Sequence, residues 1–394
     1  MFEGLLLGTA FLAVGTAFRK LYDPTGQKRE LELETDKLNR FFVEAKFGVR
    51  SEDGVKYAKA VWADRQPHYD IFGISLPWGL SKSNLEKLVG ALENVFRCEV
   101  NILERGGAYQ VQVIRSKLKS EYPFEVVAFP EPGKLYAILG VTATGPLYFD
   151  LTRRSSILIG GELGAGKSVA LAVILCQMIE HLTPDELEII FLDMKKVEAP
   201  HWEHVAHVVE VADDLETGKA ILLNLESELK ERLERIAGAG CKNITEYNKK
   251  AQKKMPFRVI VMDELYDYAT VMKEIEKPVG NVLSKSRAAG LHFIMATQRP
   301  TGDIIPGSWK VHLGVRIGLR CASSQDSINI IEAPGLEQIG EKQVGRGIAK
   351  SGTFQKFQAY LLTDFNQNYI LKKHFKKRER VVEEYNEFSG LDGC

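Results

Sequence analysis

The 394-residue sequence predicts an α/β protein: a parallel-sheet domain, preceded by a small α+β domain and a short N-terminal apolar helix. Three observations predict it. Beyond Pro130, apolar runs at 156–159, 187–192, 258–262, 291–296 and 311–319 alternate with helical patterns, the signature of buried parallel strands joined by crossover helices. Between Arg40 and Phe129 one helical pattern and shorter strand patterns occur without that alternation. At the start, residues 4–18 form an uncharged apolar run closed by Arg19-Lys20.

The apolar run is shorter than the ~20 residues of a usual membrane span. It reads as a short membrane anchor or as a helix docked on its own domain or a partner. As an anchor, the positive-inside rule places the remainder in the cytoplasm. Residues 21–39 are charge-dense and read as a linker or exposed helix. In the small domain (40–133), Tyr69 to Leu76 has strand composition and Ser81 caps a helix bearing Leu85, Leu88, Val89, Leu92 and Val95. Strands follow at 99–103 and 109–114, joined by a Gly106-Gly107 turn. Pro130 to Gly133 marks the boundary. In the second domain (134–366), residues 220–236 form an amphipathic helix with Ile221, Leu222, Leu225, Leu229, Leu233 and Ile236 on one face, and with Glu228/Arg232 and Glu231/Arg235 pairs on its outer side. Residues 367–394 are a charged tail.

Composition excludes several classes. Lys and Arg number 52 against 52 Asp and Glu, so no global basic field exists and any contact with nucleic acid must be local. The five cysteines contain no CxxC pair, which argues against a disulfide scaffold or cysteine-zinc site and for a reducing compartment. His201, His204 and His207 are spaced so that on a helix the outer two point apart, a poor metal geometry.

The strongest motif is Gly161-Glu162-Leu163-Gly164-Ala165-Gly166-Lys167-Ser168, a complete GxxxxGKS between a strand and a helix that begins at Val169. Its glycines let backbone N–H groups converge on a phosphate, and the helix N-terminus adds positive potential. Lys167 would bridge the β- and γ-phosphates of ATP and the Ser168 hydroxyl would take a Mg²⁺ position. The strand at 258–262 runs into Asp263 and Glu264: the first is expected to hold Mg²⁺ through water, the second to activate the attacking water as general base. A further strand ends in Thr297-Gln298, which puts Gln298 in place to sense the γ-phosphate or that water.

Together these residues resemble the motor domain of the FtsK/SpoIIIE family of DNA translocases, over roughly 142–364. The resemblance includes 140–151, the P-loop, Leu192-Asp193-Met194-Lys195, Asn243 to Asn248 and, most specifically, Ser286-Arg287-Ala288-Ala289-Gly290-Leu291-His292 followed by Ala296-Thr297-Gln298-Arg299-Pro300. It implies a P-loop RecA-like parallel-sheet motor domain, ATP hydrolysed between subunits of a ring, usually hexameric, and DNA threaded through it. The family's usual Asp-Pro-Lys is Asp193-Met194-Lys195 here. Ile328 follows Ser327 where the family often has arginine, so Arg287 becomes the candidate for a trans-acting arginine, with Arg316, Arg320 and Arg346 behind it. The small domain, with Leu76 to Ser81 (LPWGLS), resembles the segment ahead of the motor in coupling proteins of Gram-positive conjugative elements. About thirty residues follow Asp364, fewer than a winged-helix module needs.

The expectation is therefore an ATP- and Mg²⁺-dependent DNA pump, feeding a conjugation channel with a relaxase as partner. Chromosome segregation and protein transport by a type VII secretion ATPase are the alternatives. DNA contacts are expected from Lys242, Asn243 and Lys310, with Trp309 either stacking on a base or capping the core.

Overall fold

The structure, a computed structural model, describes residues 27–105, 107–301 and 304–376. The chain divides into two compact units, at Lys117/Leu118. The apolar run at 4–18 lies outside the described residues. No helix among the described residues is long and apolar enough to cross a membrane.

The first unit contains α1 (Gln27–Glu44), the hairpin β1 (Gly48–Ser51) and β2 (Gly54–Tyr57), then β3 (Lys59–Arg65), β4 (Tyr69–Ser75), α2 (Lys82–Glu86), α3 (Val89–Phe96), β5 (Val100–Arg105) and β6 (Ala108–Ile114). The antiparallel sheet has the order β3-β4-β6-β5. Strand alternation turns Phe72, Ile74, Val111 and Val113 onto one face, where Leu85, Leu92 and Phe96 pack. Leu38 and Phe42 complete that core, so most of the segment expected as a linker belongs to a folded helix. The polar flank of α1 carries the charge density, and its buried positions are few, which is why composition alone left linker and helix open.

The second unit contains β7 (Tyr136–Thr142), β8 (Gly145–Asp150), β9 (Ser156–Gly160), α4 (Lys167–His181), β10 (Leu187–Leu192), α5 (Ala199–Trp202), β11 (Val208–Ala212), α6 (Leu215–Gly238), α7 (Ile244–Lys250), β12 (Phe257–Met262), α8 (Met272–Ala289), β13 (Leu291–Thr297), α9 (Gly307–Lys310), β14 (Val315–Leu319), α10 (Ser324–Ile331), β15 (Arg346–Ser351), β16 (Thr353–Ala359) and α11 (Asp364–Lys373). Ten strands form one sheet in the order β11-β10-β12-β13-β9-β14-β15-β16-β7-β8. The first six are parallel, with Ile260 facing Ile190 on one side and Phe293 on the other. The last four pair antiparallel. Both faces are covered: Val259 and Val261 point toward α4 and α7, whereas Ile260 and Met262 point toward α6 and α8. This explains the unbroken apolar runs of the central parallel strands β9, β13 and β14, where neither face sees water.

Both expected limits of the motor shift outward. Residues 118–129 run along it rather than belonging to the small domain. Phe124 N–H donates to the Leu361 carbonyl, Gln177 exchanges hydrogen bonds with Glu125 O and Val127 N, and the Phe129 ring stacks on His181 at 4.1 Å. The Pro130–Gly133 turn is a bend inside the motor, not its border. At the other end α11 crosses the expected limit at 366: Ile370 and Leu371 are buried, and Lys373 and His374 both reach Glu180 at 2.7 Å.

Three smaller expectations change. Residues 311–314 are a turn after α9, so that strand begins at Val315. The Glu228–Arg232 pair exists, but Arg232 is buried and donates to the carbonyls of Pro256 and Ala289, tying α6 to the sheet instead of decorating its outer side. Cys98, Cys176, Cys241 and Cys321 are free thiols; Cys394 lies outside the described residues.

Candidate nucleotide-hydrolysis site at the carboxyl edge of the sheet

Parallel strands deliver their carboxyl ends to one edge, and the polar residues singled out by motif meet there. The P-loop leaves β9, turns through Gly164 (φ 76°) and Gly166 (φ 102°), and enters α4 at Lys167. Both glycines occupy the left-handed region, and a Cβ on Gly166 would come within 3.3 Å of the Gly345 nitrogen. The first-turn N–H groups of α4 have no intrahelical acceptors and face the loop, which suits an anion. Lys167 is buried in the loop, its ammonium donating to the carbonyls of Gly161 (2.7 Å) and Glu162 (2.8 Å). Burial lowers its pKa to about 8, against the pull of the Glu264 and Asp263 carboxylates.

Strand β12 carries Asp263 and Glu264 to the same edge. Burial first, then the carboxylates of Glu198 and Asp193, push Asp263 up to about 7, and Lys195 only partly offsets them. Glu264 is nearly inaccessible. Its two oxygens accept the Gln298 backbone N–H at 3.1 and 3.2 Å, one accepts Tyr266 N–H, and Lys195 Nζ lies 3.4 Å away. Gln298 therefore meets Glu264 through its main chain, while its side chain is exposed. Arg299, the next residue, lies 4.5 Å over the Tyr266 ring and pins that loop beside Glu264.

Sequence reasoning missed the roles of Lys195 and Asp193, although the Asp-Met-Lys string was noticed. Asp193 is buried and accepts from the backbone N–H groups of Lys195, Val197, Glu198 and Ala199 at 2.8–3.0 Å. It rigidifies the turn through Lys196 (φ 57°) that aims Lys195 at Glu264. Only a three-dimensional neighbour relation between β10 and β12 reveals that purpose.

The arginine candidates separate. Arg320 pairs with Glu162 of the P-loop at 2.6 Å. Arg316 is spent on the Lys310 carbonyl and Glu332, and Arg346 on Gln358 and the carbonyls of Leu118 and Lys119. Arg287 is exposed in the last turn of α8, at the amino end of β13, so the structure does not bring it to its own chain's P-loop.

The expected DNA-contact residues have local structural duties. Asn243 caps α7, its side chain accepting from Glu246 N–H at 2.9 Å, while Glu246 accepts the Lys242 backbone N–H at 2.9 Å. The Lys242 ammonium remains exposed. Trp309 is fully buried, with its indole N–H on the Glu276 carbonyl at 2.8 Å, so it caps the core and offers no stacking face. Half-buried Lys310 is placed by the same helix, α9.

The residues fit a magnesium nucleotide. A buried lysine with its charged form disfavoured and an acid crowded by like charges would each be relieved, the first by phosphate and the second by a divalent cation. Ser168, in the first turn of α4, and Asp263 are the oxygen donors that would hold that cation.

Strand, glycine loop, helix and paired acids two strands away make the arrangement of a P-loop domain. Residues 131–279 match the model of the FtsK/SpoIIIE family. A DNA translocase FtsK of Leptospira interrogans is 31% identical over 268 residues, 64% of this chain and 27% of that protein. The chain thus spans about a quarter of the length of that curated relative. Among solved structures, the pCW3 conjugation coupling protein TcpA, with ATPγS, has TM-score 0.59 and 23% identity, and covers 86% of this chain and 99% of that one. The cytoplasmic domain of the type VII secretion ATPase EccC from Thermomonospora curvata has TM-score 0.56 and 22% identity over 64% of this chain and 32% of that one. Over residues 131–279 the motor unit thus resembles the FtsK/SpoIIIE family.

Proposed function

We propose that this chain is an ATP-hydrolysing DNA translocase that works as the coupling protein of a conjugative element, in a ring, usually of six copies. The observation that carries the reading is the meeting of Lys167, Asp263 and Glu264 at one sheet edge inside an FtsK/SpoIIIE domain. The P-loop binds the triphosphate, and Lys167 neutralises its charge. Ser168 and Asp263 would hold a bound Mg²⁺, which would supply charge neutralisation on the phosphate oxygens. Glu264, its carboxylate oriented by Gln298 N–H and Lys195, takes the proton of the attacking water. The coupling role is supported by the TcpA fold likeness, which spans more of the chain than the motor unit alone. Relaxase and channel proteins are the partners this role requires, with residues 4–18 as the anchor of a cytoplasmic motor. Arg287 is the trans-acting arginine in this reading, and Lys242 and Lys310 are the phosphate contacts.

The test is ATP turnover with duplex DNA, single-stranded DNA and none. DNA stimulates the wild type, and Glu264→Gln lowers turnover by roughly 10²–10⁴-fold while ATP still binds. Turnover indifferent to both DNA forms shifts the reading to protein transport, which the EccC fold likeness supports.

A further inference from the structure

The P-loop carries one charge of the wrong sign for its task. Glu162, its second residue, is half-buried directly after Gly161. A loop that binds a triphosphate gathers backbone N–H groups and a lysine, and a carboxylate among them opposes the anion. The Glu162 charge is felt inside the cradle. It is one of the carboxylates that pull on the Lys167 ammonium, and its carbonyl accepts from Lys167 Nζ at 2.8 Å.

Arg320, the residue after β14, lies against it. One guanidinium nitrogen meets the Glu162 carboxylate at 2.6 Å, with the two side chains 20% and 30% exposed. The main chain joins the same residues, since Glu162 N–H donates to the Arg320 carbonyl at 2.9 Å. Sheet order sets this register. β14 runs parallel to β9 with Ile317 opposite Ile159 and Gly318 opposite Gly160, so the two strands leave the sheet side by side. The approach is close: a Cβ on Gly161 would come within 3.0 Å of Leu319 Cβ and 3.2 Å of the Arg320 carbonyl oxygen. The other guanidinium nitrogen has only the exposed Glu341, at 3.6 Å. Nothing in the sequence marks the pair, because strand pairing alone brings Arg320 to Glu162.

We propose that Arg320 is a positioning residue of the P-loop, one that cancels the Glu162 charge so that the loop admits a nucleotide's phosphates. This rests on the ATP-hydrolysis reading of the site. Arg320 acts through Glu162 of its own chain, a different task from that of an arginine supplied by a neighbouring copy. Without Arg320, the Glu162 carboxylate faces the phosphates uncompensated, and like-charge repulsion weakens binding. With Glu162 neutral, the released guanidinium attracts the phosphates instead. The two single changes therefore move one equilibrium in opposite directions. A purely structural brace behaves otherwise, since loss of either half loosens the loop alike.

The experiment is a double-mutant cycle on the full chain, read by calorimetric ATP titration and by steady-state turnover. Arg320→Ala is expected to raise Kd and KM for ATP about five- to tenfold, with a smaller change in kcat. Glu162→Gln is expected to lower Kd about two- to threefold, and the double variant to return to within about twofold of wild type. Arg320→Lys keeps the charge and should recover most of the lost affinity. Added salt should shrink the Arg320→Ala defect, because a part-exposed charge is screened. Should Arg320→Ala fail to fold, the sign of the Glu162→Gln change decides alone. Weaker ATP binding in Glu162→Gln, a double variant as impaired as Arg320→Ala, or a loss confined to kcat would overturn the assignment. A wild type that binds no ATP overturns the nucleotide reading itself, a result distinct from the other three.

Discussion

The small domain buries one carboxylate and the motor half-buries another, and they treat them in opposite ways. Asp70 of β4 is fully buried, and Arg65 and Arg115 meet it at 2.7 and 2.8 Å. The same two arginines reach on to Glu30 and Glu34 of α1, closing a network that fastens the helix to the sheet. Asp263 of the motor faces Glu198, Asp193 and Glu264, with Lys195 as the opposing charge, and its pKa rises to about 7. A buried acid with two built-in guanidinium partners holds a fold together. An acid crowded by like charges at a strand end is suited to binding a cation.

The largest expected effect breaks the compensated side. Asp70→Ala leaves two arginines facing a cavity and should cost the small domain about 3–5 kcal/mol in urea unfolding. A midpoint unchanged from wild type would mean that the network adds nothing to the helix-sheet contact.

The next concerns Asp263, and its sign is opposite. Its raised pKa makes the folded state hold a proton that the unfolded state releases above its own value near 3.8. Stability of the nucleotide-free protein should therefore fall as pH rises from about 4 to about 7 on this group's account. Asp263→Asn should remove that slope and raise stability at pH 8 by roughly 1–3 kcal/mol, while ATP turnover is lost. A variant less stable than wild type at pH 8 would show that Asp263 is compensated after all.

The smallest sharpens the same distinction at a neutral side chain. Asn243→Ala removes the cap of α7 and should cost about 1 kcal/mol of stability. Charge reversal at exposed Lys242, which leaves the cap intact, should lower DNA-stimulated turnover without a change in melting temperature. Loss of DNA stimulation in Asn243→Ala at full stability would return that residue to the DNA-contact set.

Much of this contrast was legible in the chain. The P-loop, Asp263 and Glu264 are local strings whose strand and helix contexts also lie in sequence, so their convergence could be expected from the rule that parallel strands end on one edge. Gln298 stands at that edge by the same rule, while the contact of its backbone N–H with Glu264 depends on the fold. Asn243 and Trp309 show the limit. Each has a residue type common in nucleic-acid interfaces, yet the Asn243 side-chain oxygen accepts Glu246 N–H and the buried Trp309 indole donates to the Glu276 carbonyl, 33 residues away. The arginines behave likewise: composition cannot tell Arg320, paired with the P-loop's Glu162, from Arg346, held by Leu118 and Lys119.

By itself the sequence determined the parallel-sheet motor, its phosphate loop and the two acids of β12, because hydrophobic period and glycine chemistry act over a few residues. Tertiary structure decided which charges are compensated: that Arg232 and Asp70 are sealed into the scaffold, that Lys195 reaches Glu264, and that Arg320 stands against the P-loop's Glu162. Electrostatic partnership depends on distance and burial between residues far apart in the chain, and those quantities exist only once the layers have packed.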